Sequence, residues 1–337
     1  TTASYNTAVG ARALTANVLG THSVAIGSDT LSSANPSSAG AMYNVAVGNG
    51  AGNQVTTGTH NTLIGVAAGD AITTATWTTA VGMDAGGAIT TGVQNTFVGG
   101  GSGDATTTGA YNTGIGYASL GANTTAANNT AVGFTALAAN TTGAGNTAVG
   151  KGSSLTNTTG TLNVSVGQDA LGLNTTGDNN VAIGESALYN NTTADNNTAV
   201  GKSALVHNTT GAQNTALGRV ALTTNTTGAY NTGAGSSALH ANTTGAYNTA
   251  YGADALNANT TAANNTAVGY AALTANTTGT YNTALGRSAG AAVTTGVYNT
   301  LIGGLSGDAL TDADYNVAVG TQALSADTLG SRSVAIG

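Results

Sequence analysis

Asn248-Thr249-Ala250-Tyr251-Gly252-Ala253-Asp254-Ala255-Leu256-Asn257-Ala258-Asn259-Thr260-Thr261-Ala262-Ala263-Asn264 runs directly into Asn265-Thr266-Ala267-Val268-Gly269, which begins the same phrase again. The pentamer Asn-Thr-Ala-Val-Gly, or a close variant, recurs twenty times in the 337 residues. Its glycine falls at Gly10, Gly27 and Gly48, and from Gly48 at every seventeenth residue to Gly337. One interval, Gly27 to Gly48, is 21 residues long, and its four extra residues lie near 34–38 around Pro36, the only proline. This reads as a loop bulging from one coil of a single array, 1–337. A fixed period of this kind marks a repeat architecture. Seventeen residues bury no core alone, so each unit must stack on its neighbours.

With each glycine as position 0, positions −3 and −1 are β-branched or aliphatic, as in Thr7 and Val9 or Val181 and Ile183, and Ala usually stands between them. The period of two marks a short strand. Position +4 is most often Leu (Leu14, Leu137, Leu188, Leu273), and Asn-Thr-Thr-Gly at +7 to +10 is a turn composition. The expected fold is all-β: a parallel β-solenoid, a β-roll or β-helix, of twenty 17-residue coils. At 4.8 Å per coil that makes a rod of roughly 96 Å.

Charge placement orients the strand. Ten of the 19 charged residues fall at +1 or +2, among them Arg12, Asp84, Lys151, Glu185 and Lys202, and none falls between −4 and 0. The expectation is that −3 and −1 face inward and +1 and +2 face solvent, because Lys and Glu are rarely buried unpaired. A compensation inside the chain adds to this. Where +4 becomes Gly (Gly52, Gly69, Gly86, Gly103, Gly290, Gly307), +7 changes from Asn to Val55, Ile72, Ile89, Thr106, Val293 and Leu310. Positions +4 and +7 should therefore border one close-packed interior. Ser154 and Leu155 break the pattern at +4 and +5, and a local shift is expected there.

Composition excludes several function classes. Only 6 basic and 13 acidic residues occur, too few cations to track a phosphate backbone. No run approaches the ~18 apolar residues of a spanning helix, so no membrane insertion is expected in this segment. With no cysteine, disulfides and thiolate metal sites are absent. The four histidines, His22, His60, His207 and His240, lie in different coils, and no catalytic, metal or cofactor site is expected. Gly100-Gly101-Ser102-Gly103-Asp104 reads as a turn. Asp178 and Asp195 share register +11, as a solvated pair or around a cation.

Stacking in register turns each position into a column. Asn123, Asn140, Asn157, Asn174, Asn191, Asn208, Asn225, Asn242, Asn259 and Asn276 form an unbroken +7 series. Amides at that spacing satisfy one another's donors and acceptors. Each is also an Asn-Thr-Thr acceptor pattern for N-linked sugar, so ladder and glycan readings both stand. Tyr230, Tyr247, Tyr281, Tyr298 and Tyr315 belong to a +12 column that also holds Tyr5, Tyr43, Trp77 and Tyr111. Such a column binds glycans or a cell surface, covers an interface, or stacks for stability.

Ser23-Val24-Ala25-Ile26-Gly27, repeated at Ser333 to Gly337, resembles the head repeats of trimeric autotransporter adhesins, and the longer phrase from Tyr247 is similar to arrays in bacterial and phage tail-fibre proteins. The resemblance implies a left-handed parallel β-roll, homotrimerisation and a location on the cell surface or a virion fibre. Residues 1–27 also match 311–337 at 17 of 27 positions. Uncapped strand edges pair with anything similar, so a filament is expected, by continuation of the chain or by end-to-end joining. The function expected is a non-enzymatic, extracellular structural filament or fibre shaft. The alternatives are an adhesin that recognises glycans and an ice-binding solenoid with flat Thr ladders.

Overall fold

The computed structural model describes residues 3–337, and no helix occurs among them; three-residue strands occupy the −3 to −1 positions of the repeats. The chain divides into two compact units, Thr1–Gln168 and Asp169–Gly337. In the first, ten such strands run from Thr7–Val9 to Val164–Val166. They pair in parallel coil upon coil without a slip, as Thr7 opposite Val24, Thr79 opposite Thr96 and Thr147 opposite Val164. The second unit repeats this with ten strands from Val181–Ile183 to Val334–Ile336, Val181 lying opposite Thr198 and Val317 opposite Val334. Each unit is a parallel β-solenoid with the 17-residue spacing read from the sequence.

The strands turn the other way from the expectation that −3 and −1 face inward. It is −2 that is fully buried, as Ala80, Ala131, Ala199 and Ala267, while −3 and −1 are partly or largely exposed. Asn at −4 is buried, and the period of two then carries −2 to the same side. The interior is already filled by the +4 leucines, Leu171 to Leu273 in the second unit, leaving room for a methyl group at −2. The β-branched residues at −3 and −1 suit the extended backbone and do not build the core. Lys151, Lys202 and Arg219 at +1 are exposed, as the charge pattern requires.

The compensation between +4 and +7 has its cause in shared space. A Cβ added to Gly52 would lie 2.7 Å from Leu63 Cδ1 and 3.3 Å from Val55 Cγ2. A third position joins the exchange in three of the six Gly-bearing coils, where −2 enlarges to Leu63, Phe97 and Leu301, all fully buried; the other three keep Ala46, Ala80 and Ala284. The expected shift at Ser154 does not occur. Ser154 stays buried at +4 with φ 49°, close to the 51° of Leu137. Its hydroxyl is 2.8 Å from that of Ser165, which also accepts from Ser153 at 2.7 Å, so a small hydroxyl network replaces the missing apolar contact without a register change. The insertion between Gly27 and Gly48 bulges at Ser37–Gly40 and is anchored by buried Ala34 and Met42.

Two backbone conditions close each coil. Residues at +2, +4 and +12 are left-handed, as Ser203 (φ 57°), Leu205 (53°) and Gln213 (59°). For a non-glycine residue that conformation costs roughly 1–2 kcal/mol, so packing must hold it. The repeat glycine is constrained differently. At Gly218, φ is 133°, and a Cβ would come within 2.7 Å of the carbonyl carbon and oxygen of Gly235. Only glycine lets the backbones of successive coils approach so closely.

Candidate functional site

The chemistry of this chain lies in its side-chain columns; no ligand-sized cavity opens among the described residues, and no three His, Asp or Glu side chains there are placed to hold a metal ion. The +7 asparagines are fully buried or nearly so. In the first unit Asn140 Nδ2 donates to Asn123 Oδ1 at 3.1 Å, and Asn157 Nδ2 to Asn140 Oδ1 at 2.8 Å. In the second unit the same bond runs upward from Asn174 through Asn191, Asn208, Asn225, Asn242 and Asn259 to Asn276, at 2.8–3.0 Å. Each amide spends its other hydrogen on the carbonyl three residues ahead, as Asn208 on Gly211 at 2.8 Å. An N-linked sugar on such an Nδ2 would cost a ladder bond and would start inside the coil. The exposed member of the Asn-Thr-Thr turn is the second Thr, as Thr125, Thr142 and Thr227. The first Thr bonds along the stack, Thr226 Oγ1 donating to the Thr243 carbonyl at 3.1 Å.

A second amide series stands at −4, where the sequence repeats Asn in most coils, as at Asn6, Asn44, Asn112 and Asn248. Asn44 Oδ1 accepts the Asn61 N–H at 2.9 Å, and Asn44 Nδ2 donates to the Gly58 carbonyl at 2.8 Å. Asn231 does the same for Asn248 N–H and the Gly245 carbonyl. A −4 amide of this kind ties one coil to the next and closes its own turn; Ser23 Oγ, Thr78 Oγ1 and Asn197 Nδ2 in the same register make no such bond.

The +12 column is a stack of rings. Tyr230 lies 4.9 Å from Tyr247 and Tyr281 4.9 Å from Tyr298, nearly parallel, and Tyr298 is 5.1 Å from Tyr315. The Arg332 guanidinium caps Tyr315 at 5.8 Å. In the first unit the column includes two histidines not linked to it by the sequence reading. Tyr5, His22, Tyr43, His60 and Trp77 follow one another at 4.1–5.3 Å. The signal was available, since His22 and His60 stand twelve residues after Gly10 and Gly48. Ring faces within a stack cover one another, so a ligand meets edges and hydroxyl groups.

Charges occur where stacking tolerates them. Arg12 Nε is 2.6 Å from Asp29 Oδ1, and Lys202 Nζ is 2.8 Å from Glu185 Oε2. The hydrogen bond from Arg12 holds the Asp29 carboxyl below its ordinary pKa. Asp195 Oδ1 accepts the Asp178 N–H at 2.7 Å, which gives that pair a contact needing no cation. Asp70 and Asp104 flank Gly87, whose Cβ direction points within 3.5 Å of both carboxylates. Burial raises both pKa values, and the charge of Asp84 adds to each. No protein-family model matches the chain, and no curated protein matches its sequence.

Proposed function

We propose that this chain is a shaft segment of an extracellular structural fibre and not an enzyme, its partner being further copies of itself, end to end or as a homotrimer. One observation carries the reading: in each unit the strand, amide and threonine bonds link coil to coil along one stacking axis. A pull along that axis loads many parallel bonds at once, and no ligand-sized cavity opens among the described residues. Imaging of purified material with mass-per-length measurement tests this. A single file of coils weighs about 3.4 kDa per nm, from the 32.2 kDa chain and a 4.8 Å rise. Fibres at that value or a small whole multiple support the reading. Dispersed particles with no axial growth would remove it.

A second reading, an adhesin, is favoured by the half-exposed Tyr281, Tyr298 and Tyr315, whose edges form a repeated row of hydroxyl groups. Glycan-array binding lost on Tyr298→Ala supports it, and no binding rejects it. Sugar on the chain itself fits the exposed second Thr of each turn better than the buried amides, and an intact mass of 32.2 kDa would exclude it.

A further inference from the structure

The uncharged stretch from −4 to 0 was explained in the sequence by burial, but the structure puts −3 and −1 outside. One part of this face is more apolar than the rest. In the coils of Gly65 to Gly133, position −1 carries Ile64, Val81, Val98, Ile115 and Val132, while +1 carries Val66, Met83, Gly100, Tyr117 and Phe134. The four side chains at +1 are 52–61% exposed. Together the two columns present roughly 700 Å² of apolar surface, more than the largest patch of an ordinary monomer. Neither column contains a charge in these five coils. In the second unit, by contrast, +1 carries Glu185, Lys202, Arg219 and Arg287.

We propose that this face, residues 62–134, docks a second copy of the same chain, antiparallel, about a two-fold axis that crosses the coil at Gly100. What fills it must present bulk at the same axial interval, and the chain's own face does so. The order of residues selects the antiparallel arrangement. Gly100 lies at the centre, with Tyr117 and Phe134 in the coils on one side and Met83 and Val66 on the other. Rotation about that axis sets Tyr117 against Met83 of the second copy and Phe134 against its Val66, large against small, and each contact occurs twice as an isologous interface requires. The Tyr117–Met83 contact is of the favourable sulfur–aromatic kind. Tyr117 and Phe134 already stack at 5.5 Å, so they dock as one rigid wedge. Gly100 faces its own copy in either arrangement, but a parallel pair would oppose Tyr117 to Tyr117 and Phe134 to Phe134 and leave a gap where Val66 meets Val66. Asp84, the one carboxylate at the border, meets Ala118 of the second copy, and Lys151 meets its Asn49, so no like charges are apposed. The paired faces bury roughly 1,400 Å², within the range of stable specific interfaces.

The proposal concerns chains in solution and does not rest on the fibre reading; a fibre without lateral pairs, or pairs without fibres, separates the two. Fibres, where they form, should weigh a multiple of two of the single-file mass per length, and the non-fibrous fraction at tens of micromolar should sediment at twice the 32.2 kDa chain mass. Met83→Glu and Tyr117→Lys should each return the single-chain mass, with the dissociation constant raised at least tenfold; at a dilution where wild type is itself unpaired the thermal melts should coincide, since both side chains are exposed. Mixing the two variants should restore a pair, because one interface contact becomes Glu opposite Lys and the other remains Met83 opposite Tyr117. A wild-type chain that sediments as a monomer or a trimer would overturn the proposal. So would either variant keeping the double mass, or a mixture that stays monomeric.

Discussion

Thr78→Asn should make the protein more stable, although it replaces one buried polar residue with another. Thr78 occupies the −4 register, where neighbouring coils have Asn, and its side chain is fully buried with no partner for Oγ1. Its N–H still donates to Asn61 Oδ1 at 2.9 Å, so the ladder arrives intact from one side. Elsewhere, a −4 amide gives its Oδ1 to the next −4 N–H and its Nδ2 to the carbonyl fourteen residues ahead, as Asn95 does for Asn112 and Gly109 at 3.0 and 2.8 Å. At Thr78 the corresponding groups are the Asn95 N–H and the Gly92 carbonyl, both in buried residues. Asn supplies both bonds and removes the orphan hydroxyl. At about 1 kcal/mol per net bond, with relief of an unsatisfied buried group added, the gain is about 2–3 kcal/mol. Thr78→Val is the control. It deletes the orphan hydroxyl at constant shape but leaves the two backbone groups unpaired, so it should gain no more than about 1 kcal/mol. Repeat arrays open locally, so the readout is hydrogen exchange at the Asn95 amide together with urea unfolding. Slower exchange in Thr78→Asn than in wild type or Thr78→Val is expected; equal or faster exchange would refute the ladder argument.

Asn208→Ala removes bonds to Asn191 and Gly211 and the one accepted from Asn225, and should cost about 3–6 kcal/mol by urea unfolding. Ala199→Leu should cost about 1–3 kcal/mol by overpacking, whereas Val200→Thr at the outward −1 position should stay within about 0.5 kcal/mol; the inward-facing −1 expected from sequence requires the reverse order. Asp70→Asn tests the burial of its carboxyl. Its pKa is raised in the fold, so the folded state holds the proton to higher pH than the unfolded chain, and stability falls as pH rises from the ordinary carboxylate value through the raised one. The variant should therefore melt above wild type at pH 7 and level with it below the ordinary value, as calorimetry across that range would show.

The period, the register and the shared space of +4 and +7 were legible because they are written as repetition and compensation. The orientation of the strand was not. Val and Ile at −1 are read as core by hydrophobicity, and Ala at −2 looks like filler; the interior is narrow enough that Leu205 and Asn208 leave only a methyl's room at Ala199. The left-handed residues were also hidden. Leu205, Gln213 and Tyr247 are not residues that announce positive φ, and they adopt it because successive coils fix the backbone. For the columns, His22 and His60 were within reach of register arithmetic, but residue type set them apart from the tyrosines they stack with.

Axial stacking then explains which residues the chain uses and which it avoids. A group repeated at the strand spacing of about 4.8 Å meets its own copy above and below, so a column is stable only if the group complements itself. Amides do, donating along one edge and accepting along the other, and the Asn174 to Asn276 series uses both. Threonine does so through hydroxyl and carbonyl, and rings do so face to face. Carboxylates and ammonium groups do not, and the two ion pairs show one way out, opposite signs on adjacent coils, while Asp195 shows another by accepting the Asp178 N–H. Where three carboxylates come near one another, at Asp70, Asp84 and Asp104, a glycine separates two of them in the column and two of the three hold their protons more tightly. The scarcity of charge is thus a consequence of the fold. It also leaves an outer face that is uncharged without being buried, and that face is free to meet a copy of itself.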